Sequence, residues 1–314
     1  MAWQKLLPKR RPGRKFDERR PLVFLHIPKS AGTSLTHALL EVLQPRNPAV
    51  SLFDEVLFGS FSDFSGFSSA ERARIYLPNR SLPADADLIA GHVSFRRLAR
   101  SYPQGQYITV LREPIARLIS HWRYWRSHTD AQLRDVGAWA DRVRIARGSL
   151  ESFLQHPDIV QTTDNLYVRM LLYPHPDIPP DAPIHPRHYP QLVQEALREL
   201  RRFSVVGILE ERLFEKQLSE FLDRDFFCPK DNVTSQKASS DTNFDAGIET
   251  NVWDLLESRT HMDRKLWRFF CSQRLSQDAC DKIERKTIAL EFCKITKGWS
   301  INMRAGGQES YLVR

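Results

Sequence analysis

Three short stretches of this 314-residue chain hold residues whose types and spacing suit chemistry. In PKSAGTS at 28–34, Lys29, Ser30, Gly32, Thr33 and Ser34 bring together a cation, three hydroxyls and one glycine. Such a set cradles a phosphate: backbone amides and hydroxyls donate to it, and the lysine adds a full charge. In GHVSF at 91–95, His92 supplies an imidazole, a group that titrates near neutrality and can take the proton of an attacking hydroxyl. In REPIARLIS at 112–120, Arg112 can fork two donors onto a second phosphate and Ser120 can add a hydroxyl. Together the three stretches supply a phosphate-type turn, an imidazole and a guanidinium. Taken singly, each has an ordinary explanation. Lys29 can be a solvated lysine in a βα turn, His92 can cap the following helix, Arg112 can pair with a surface carboxylate, and Ser120 can fill a helix face.

The elements that must position these residues are legible around them. Leu22, Val23, Phe24, Leu25 and Ile27 form a continuous apolar run, which predicts a strand buried on both faces. Leu35, Ala38, Leu39, Val42 and Leu43 then repeat at helical spacing, so 28–34 lies in a tight turn opening a helix, where free amides and the positive end of the helix dipole meet. A Walker A loop needs a Lys-Ser/Thr pair directly after its last glycine, whereas Lys29 precedes Gly32. The stretch therefore reads as phosphate-binding without reading as that of a nucleoside triphosphatase. A second strand is expected at 87–90, placing His92 at its carboxyl end, where ligands of open α/β sheets bind. Gln106 to Leu111 is a third strand, and Arg112-Glu113-Pro114 turns it into a helix through Trp125, with Ile115, Leu118, Ile119 and Trp122 on the apolar face and Arg117 and Ser120 elsewhere.

Beyond these, 51–69 (SLFDEVLFGSFSDFSGFSS) reads as an aromatic loop, a lid or acceptor surface or simply packed against the core. Residues 163–172 read as a helix capped by Asp164 or Thr163, the proline-rich 174–190 as an extended loop, and 191–200 as a helix. A fourth strand is expected at 203–208, a helix at 210–222, a polar turn-rich segment at 232–245 and helix through most of 249–294. There is no internal repeat. Strands alternating with helices predict an α/β fold with a mostly parallel, doubly wound sheet, helices on both faces and a helix-rich C-terminal part.

The hydrophobic content of 41% is that of a globular chain able to bury a core. No uncharged apolar run approaches the roughly 18 residues of a membrane span, and 1–20 lacks the apolar centre of a signal peptide, so a cytoplasmic location is expected. The formal net charge is +8, but residues 1–20 hold eight Lys/Arg against Asp17 and Glu18, which leaves 21–314 near neutral. The expected organisation is a basic, disordered tail at 1–20, one α/β domain at 21–298 and a mobile tail at 299–314. The basic tail carries no nucleic-acid recognition motif. Cys228, Cys271, Cys280 and Cys293 lack zinc-ligand spacing and read as reduced thiols, and no metal motif is present.

Taken together, HIPKSAGTS at 26–34, GHVSF at 91–95 and ITVLREPIARLISHW at 108–122 resemble the P-loop-like sulfotransferases that use 3′-phosphoadenosine 5′-phosphosulfate (PAPS). The resemblance is nearest to the carbohydrate branch with heparan sulfate 2-O-sulfotransferase, the uronyl sulfotransferases and their bacterial relatives. It runs in patches over 21–222 and includes VVGILEERLFEKQLSEFL at 205–222. It implies that Lys29, Ser30, Gly32, Thr33 and Ser34 hold the 5′-phosphosulfate and that Arg112 and Ser120 hold the 3′-phosphate. It also implies that His92 is the base, that Lys29 stabilises the departing phosphate, that no metal takes part, and that the acceptor is an oligo- or polysaccharide. One departure is visible: the animal 2-O-sulfotransferases carry His-Gly-His where this chain has Ala90-Gly91-His92, leaving one candidate histidine in that stretch. Two other classes stay open, a nucleotide-dependent kinase or NTPase and a non-catalytic polyanion-binding protein on the same fold.

Overall fold

Apolar runs with no polar alternation belong in a parallel sheet covered on both faces, and the predominantly apolar stretches around 22–25, 88–90 and 106–111 are found there as three neighbouring strands. The computed structural model describes residues 15–54, 75–76, 82–134, 139–211, 213–228 and 250–296. In chain order its first half contains β1 (Leu22–Leu25), α1 (Gly32–Leu43), β2 (Pro48–Asp54), β3 (Ile75–Tyr76), β4 (Leu88–His92), α2 (Phe95–Ser101), β5 (Gln106–Leu111) and α3 (Pro114–Arg126). The second half contains α4 (Trp139–Ile145), α5 (Leu150–Gln155), α6 (Val160–Thr163), α7 (Leu166–Leu172), α8 (Tyr189–Leu200), β6 (Val205–Ile208), α9 (Leu213–Leu222), α10 (Thr250–Ser272) and α11 (Gln277–Thr296). The strands form a six-stranded sheet in the order β3-β2-β4-β1-β5-β6, with every pairing parallel.

Alternate residues of β1 feed two different cores. Leu22 and Phe24 join Leu35, Ala38 and Leu39 of α1 and Phe214, Leu218 and Phe221 of α9 on one face. Val23 and Leu25 join Phe95 and Leu98 of α2, the apolar side of α7 and α8, and Leu266 and Trp267 of α10 on the other. The sheet is thus doubly wound, as its pattern predicts, with about 1.5–3 kcal/mol gained for each fully buried Leu or Phe. A third cluster lies beside these two, where α3 packs against α4, α5, α10 and α11 through Ile115, Leu118, Ile119, Leu256, Ile288 and Phe292.

Several expectations change. β2 falls partly where the aromatic loop is expected, because Pro48, a left-handed Ser51 (φ 60°) and a register shift between Val50 and Leu52 interrupt the alternation that would mark a strand, and β3 lies in a stretch for which no element is expected. Residues 55–69 of the aromatic segment, 232–245, 1–14 and 299–314 lie outside the described residues. The helix expected over 163–172 is two pieces: α6 ends at Thr163, and α7 starts after a left-handed Asn165 that is its N-cap. Asp164 does not cap it. Its carboxylate instead accepts from Arg169 Nη2 at 2.8 Å and the Ile184 amide at 3.0 Å, pinning the start of the proline-rich loop. Within 15–20, expected in the basic tail, Phe16 and Asp17 are held against the domain. Phe16 donates its amide to the Phe221 carbonyl at 2.8 Å with their rings 5.9 Å apart, and Gln106 Nε2 donates to the Asp17 carbonyl at 2.9 Å. A tail boundary read from charge density alone misses one aromatic residue docking on α9.

None of the four cysteines is in a disulfide. Among the described residues, no helix is long and apolar enough to cross a membrane.

The start of α3 holds a pH-sensitive cap. Glu113 is fully buried and accepts from the amides of Ile115 (3.2 Å) and Ala116 (2.7 Å), while its own amide donates to Glu210 at 2.7 Å. Burial pushes its carboxyl up to about 8, helped by Glu284 and Glu210 and opposed by the two amides. Between about pH 4.5 and pH 8 the unfolded chain ionises this group and the folded chain does not, so its contribution is full below 4.5 and drains away as pH rises towards 8. Glu113→Gln is expected to gain stability relative to the parent across that window, at up to about 1.4 kcal/mol per pH unit. Urea melts at three pH values check this. Parallel stability curves for the two proteins would refute it.

Candidate active site

The order β4-β1-β5 decides the site, because the three sequence stretches follow three neighbouring strands and emerge at one edge. Lys29 follows β1, His92 ends β4, and Arg112 follows β5.

The β1 turn is strained and open-ended. Lys29 (φ 66°) and Ala31 (φ 59°) are both left-handed, a conformation that costs a non-glycine residue about 1–2 kcal/mol. Ala31 is the N-cap of α1 and has no side-chain oxygen for the first-turn amides, the arrangement that leaves a helix start to an external anion. Ser30 is 1% exposed, and its hydroxyl has no hydrogen-bond partner, an orphaned donor within the same turn. Ser34 is buried in the first turn of α1 and Thr33 is half-buried. At Gly32 a Cβ would come within 1.8 Å of the His26 ring, so only glycine fits. The Lys29 ammonium lies 3.7 Å from the centre of the Tyr124 ring of α3.

His92 is half-buried, and its Nδ1 is 2.7 Å from the His26 carbonyl oxygen. A carbonyl can only accept, so this bond places the proton on Nδ1 and the ring's lone pair on Nε2. The loop behind His92 is tied by Ser94, whose amide and hydroxyl donate to the buried Asp54 at 3.3 and 3.1 Å. Gly91 is required one residue earlier, since a Cβ there would meet the Leu52 carbonyl at 2.5 Å where β2 bulges. A second histidine is present that the Ala90-Gly91-His92 stretch does not reveal. His26 comes from the adjacent strand, its ring centre 4.2 Å from that of His92 and stacked on Phe24. Burial holds the His26 ring well below the usual imidazole range, with His92 and Lys29 adding to the effect.

Arg112 is joined to the first stretch directly, its Nη1 donating to the Lys29 carbonyl at 3.1 Å. Tyr167 of α7 grips its backbone from both sides, the hydroxyl donating to the Arg112 carbonyl at 2.5 Å and accepting from the Arg112 amide at 3.2 Å. Asp263 of α10 in turn accepts from the Tyr167 and Val168 amides at 3.0 and 3.2 Å. Ser120 is half-buried on α3, one helical turn before Arg123 and Tyr124. The structure does not join Ser120 to Arg112 by a hydrogen bond: Arg112 lies in the turn that leads into α3, and Ser120 lies on α3 itself. Arg117, expected on the outer surface of α3, is fully buried, because α3 is enclosed by the sheet edge on one side and the third cluster on the other.

Residues around the site that sequence reasoning missed are His26, Tyr124 and Tyr167, together with Glu291, whose carboxylate accepts from Arg112 at 2.8 Å, and Arg123, which donates to the same carboxylate at 2.9 Å. Only His26 had a local signal, its place in the HIPKSAGTS stretch. The others reach the site from helix faces or from far along the chain. As a whole the arrangement can hold one anion at the start of α1 and another near Arg112, with an imidazole between β1 and β2 at the same edge.

The model of the Sulfotransferase family matches residues 14–158, a little under half of the chain. The matched segment contains β1 through α5 and all eight site residues expected from sequence. No curated protein matches the chain. The α/β fold, with its parallel sheet, is consistent with that family, and the match supports an enzyme that transfers sulfate.

Proposed function

We propose that this protein transfers the sulfuryl group of PAPS to a hydroxyl of a carbohydrate acceptor, with His92 as the general base. The observation that carries the proposal is the junction of three strand ends, where a tautomer-fixed His92 stands beside a phosphate-type turn that is itself bonded to Arg112. The orphaned Ser30 hydroxyl and the uncapped start of α1, which begins at Gly32, fit a 5′-phosphosulfate. Arg112, held by Tyr167, fits the 3′-phosphate together with Ser120.

PAPS would supply the electrophilic sulfur and a bisphosphate leaving group. His92 Nε2 accepts the proton of the acceptor hydroxyl as its oxygen forms the new O–S bond and the S–O bond to the phosphate breaks. The His26 carbonyl, through Nδ1–H, keeps the ring oriented and stabilises the imidazolium that forms. Lys29, whose ammonium lies against the Tyr124 ring, would supply a positive charge to counter the one that develops on the departing phosphate oxygen. A saccharide is the acceptor implied by the resemblance to the carbohydrate branch.

The test is transfer of labelled sulfate from PAPS to a panel of oligosaccharides, with ATP and magnesium as the competing donor. Sulfated product from PAPS alone is expected. Phosphorylated product from ATP, with none from PAPS, would replace this proposal by a kinase.

A further inference from the structure

The most concentrated charge cluster beside the site lies where α11 crosses α3. Glu291, near the end of α11, has a side chain 2% exposed, and its Oε1 accepts from Arg112 Nη2 at 2.8 Å and also from Lys294. Its Oε2 accepts from Arg123 Nη1 at 2.9 Å. Burial pushes this carboxyl up, but Arg112, Lys294 and Arg123 outweigh it and hold the group below the usual carboxylate range. Three cations thus converge on one carboxylate, an excess of two positive charges in a setting where the arginine side chains are only 15% and 11% exposed. Ser120 stands one helical turn from Arg123 on α3, so Arg112 and the helix that carries Ser120 both meet the Glu291 carboxylate.

We propose that Glu291 is an intramolecular stand-in for the 3′-phosphate, and that a nucleotide carrying that group binds by displacing the Glu291 carboxylate from Arg112 and Arg123. The inference rests on the reading of Arg112 and Ser120 given above. A phosphate monoester dianion matches three converging cations better than a carboxylate does, since it brings about twice the charge and a third acceptor oxygen. Until it arrives, Glu291 keeps buried cations paired, which a bare cluster could not do without a large desolvation and repulsion cost. Nucleotides without a 3′-phosphate leave the contact in place, so the latch lowers affinity only for the cognate ligand and couples its binding to the end of α11.

The test measures dissociation constants of adenosine 3′,5′-bisphosphate and 5′-AMP with the full chain and with Glu291→Gln. Removing the competing charge is expected to tighten bisphosphate binding about tenfold and to leave AMP within twofold. Unchanged or weaker bisphosphate binding in the variant would overturn the latch, the weaker result making Glu291 a positioning residue for Arg112. If Glu291→Gln does not fold, Glu291→Asp, whose carboxylate is withdrawn by one methylene, is expected to shift bisphosphate binding the same way. Hydrogen exchange of the parent protein then gives a second readout: the bisphosphate, and not AMP, should accelerate exchange at 288–296, and equal exchange with both would overturn the proposal. A parent protein that prefers the bisphosphate while the variant gains nothing sinks the latch alone. Absence of any preference in both proteins sinks the two-anion reading and the latch with it.

Discussion

Replacing His92 by alanine is expected to lower the turnover rate by about 10²–10⁴-fold while nucleotide affinity stays within a few-fold of the parent. The expectation follows from how the ring is held. Its Nδ1 is committed to the His26 carbonyl at 2.7 Å, so removal of the side chain deletes the lone pair on Nε2 without touching the Lys29 turn or Arg112. His26 is no substitute, although its ring centre is only 4.2 Å away, because its ring is packed against Gly32 and burial holds it well below the usual imidazole range. Saturating both substrates and measuring turnover, alongside bisphosphate binding, separates the outcomes. A variant with near-parental turnover would remove His92 from the mechanism. One that lost nucleotide binding in parallel would show that His92 supports the cradle and not the proton transfer.

Adenosine 3′,5′-bisphosphate is expected to raise the melting temperature far more than AMP or ATP at equal concentration. At 100-fold over its dissociation constant a ligand adds about 2.7 kcal/mol, which for a domain of this size amounts to roughly 5–10 °C. The proposed 3′-phosphate site at Arg112 and Ser120 is the source of the expected difference. Arg112 reaches the Lys29 carbonyl with one nitrogen and an acidic partner with another, so its guanidinium already spans the distance from the 5′-side turn to the α3–α11 junction. Each charge-assisted bond that it or Ser120 makes to a 3′-phosphate is worth about 1.5–3 kcal/mol. Arg112→Ala should therefore make the bisphosphate and AMP nearly equivalent while AMP binding persists at the start of α1. Stabilisation by ATP with magnesium, with indifference to the bisphosphate, would move the protein to the nucleotide-dependent kinases.

The sequence by itself determined the elements whose character is local. β1 is an uninterrupted apolar run and β4 and β5 are predominantly apolar, a pattern that belongs to strands of a parallel sheet covered on both faces, so fold class and strand ends follow from composition along a few residues. The phosphate-type turn, His92 and Arg112 were legible for the same reason: each sits within a residue or a few of a strand end, and strand ends in such a sheet share an edge. β2 was not legible, since Pro48 and the bulge at Ser51 erase its alternation, and it is fixed by pairing with β4 across the sheet.

Only the tertiary structure decided which groups neighbour the site. The strand order β4-β1-β5 brought His26 against His92, two residues far apart in the chain whose carbonyl–imidazole bond sets a tautomer. The enclosure of α3 buried Arg117, which periodicity placed at the surface, because a helix covered on two sides has no outer face for its charged residues. Glu291 is 179 positions from Arg112, and nothing in either neighbourhood marks them as partners. Hydrophobic periodicity reports which face of an element is covered. What covers it depends on the packing of whole elements, and a charge pair formed there is the consequence of that packing, so it leaves no trace in the spacing of residues along the chain.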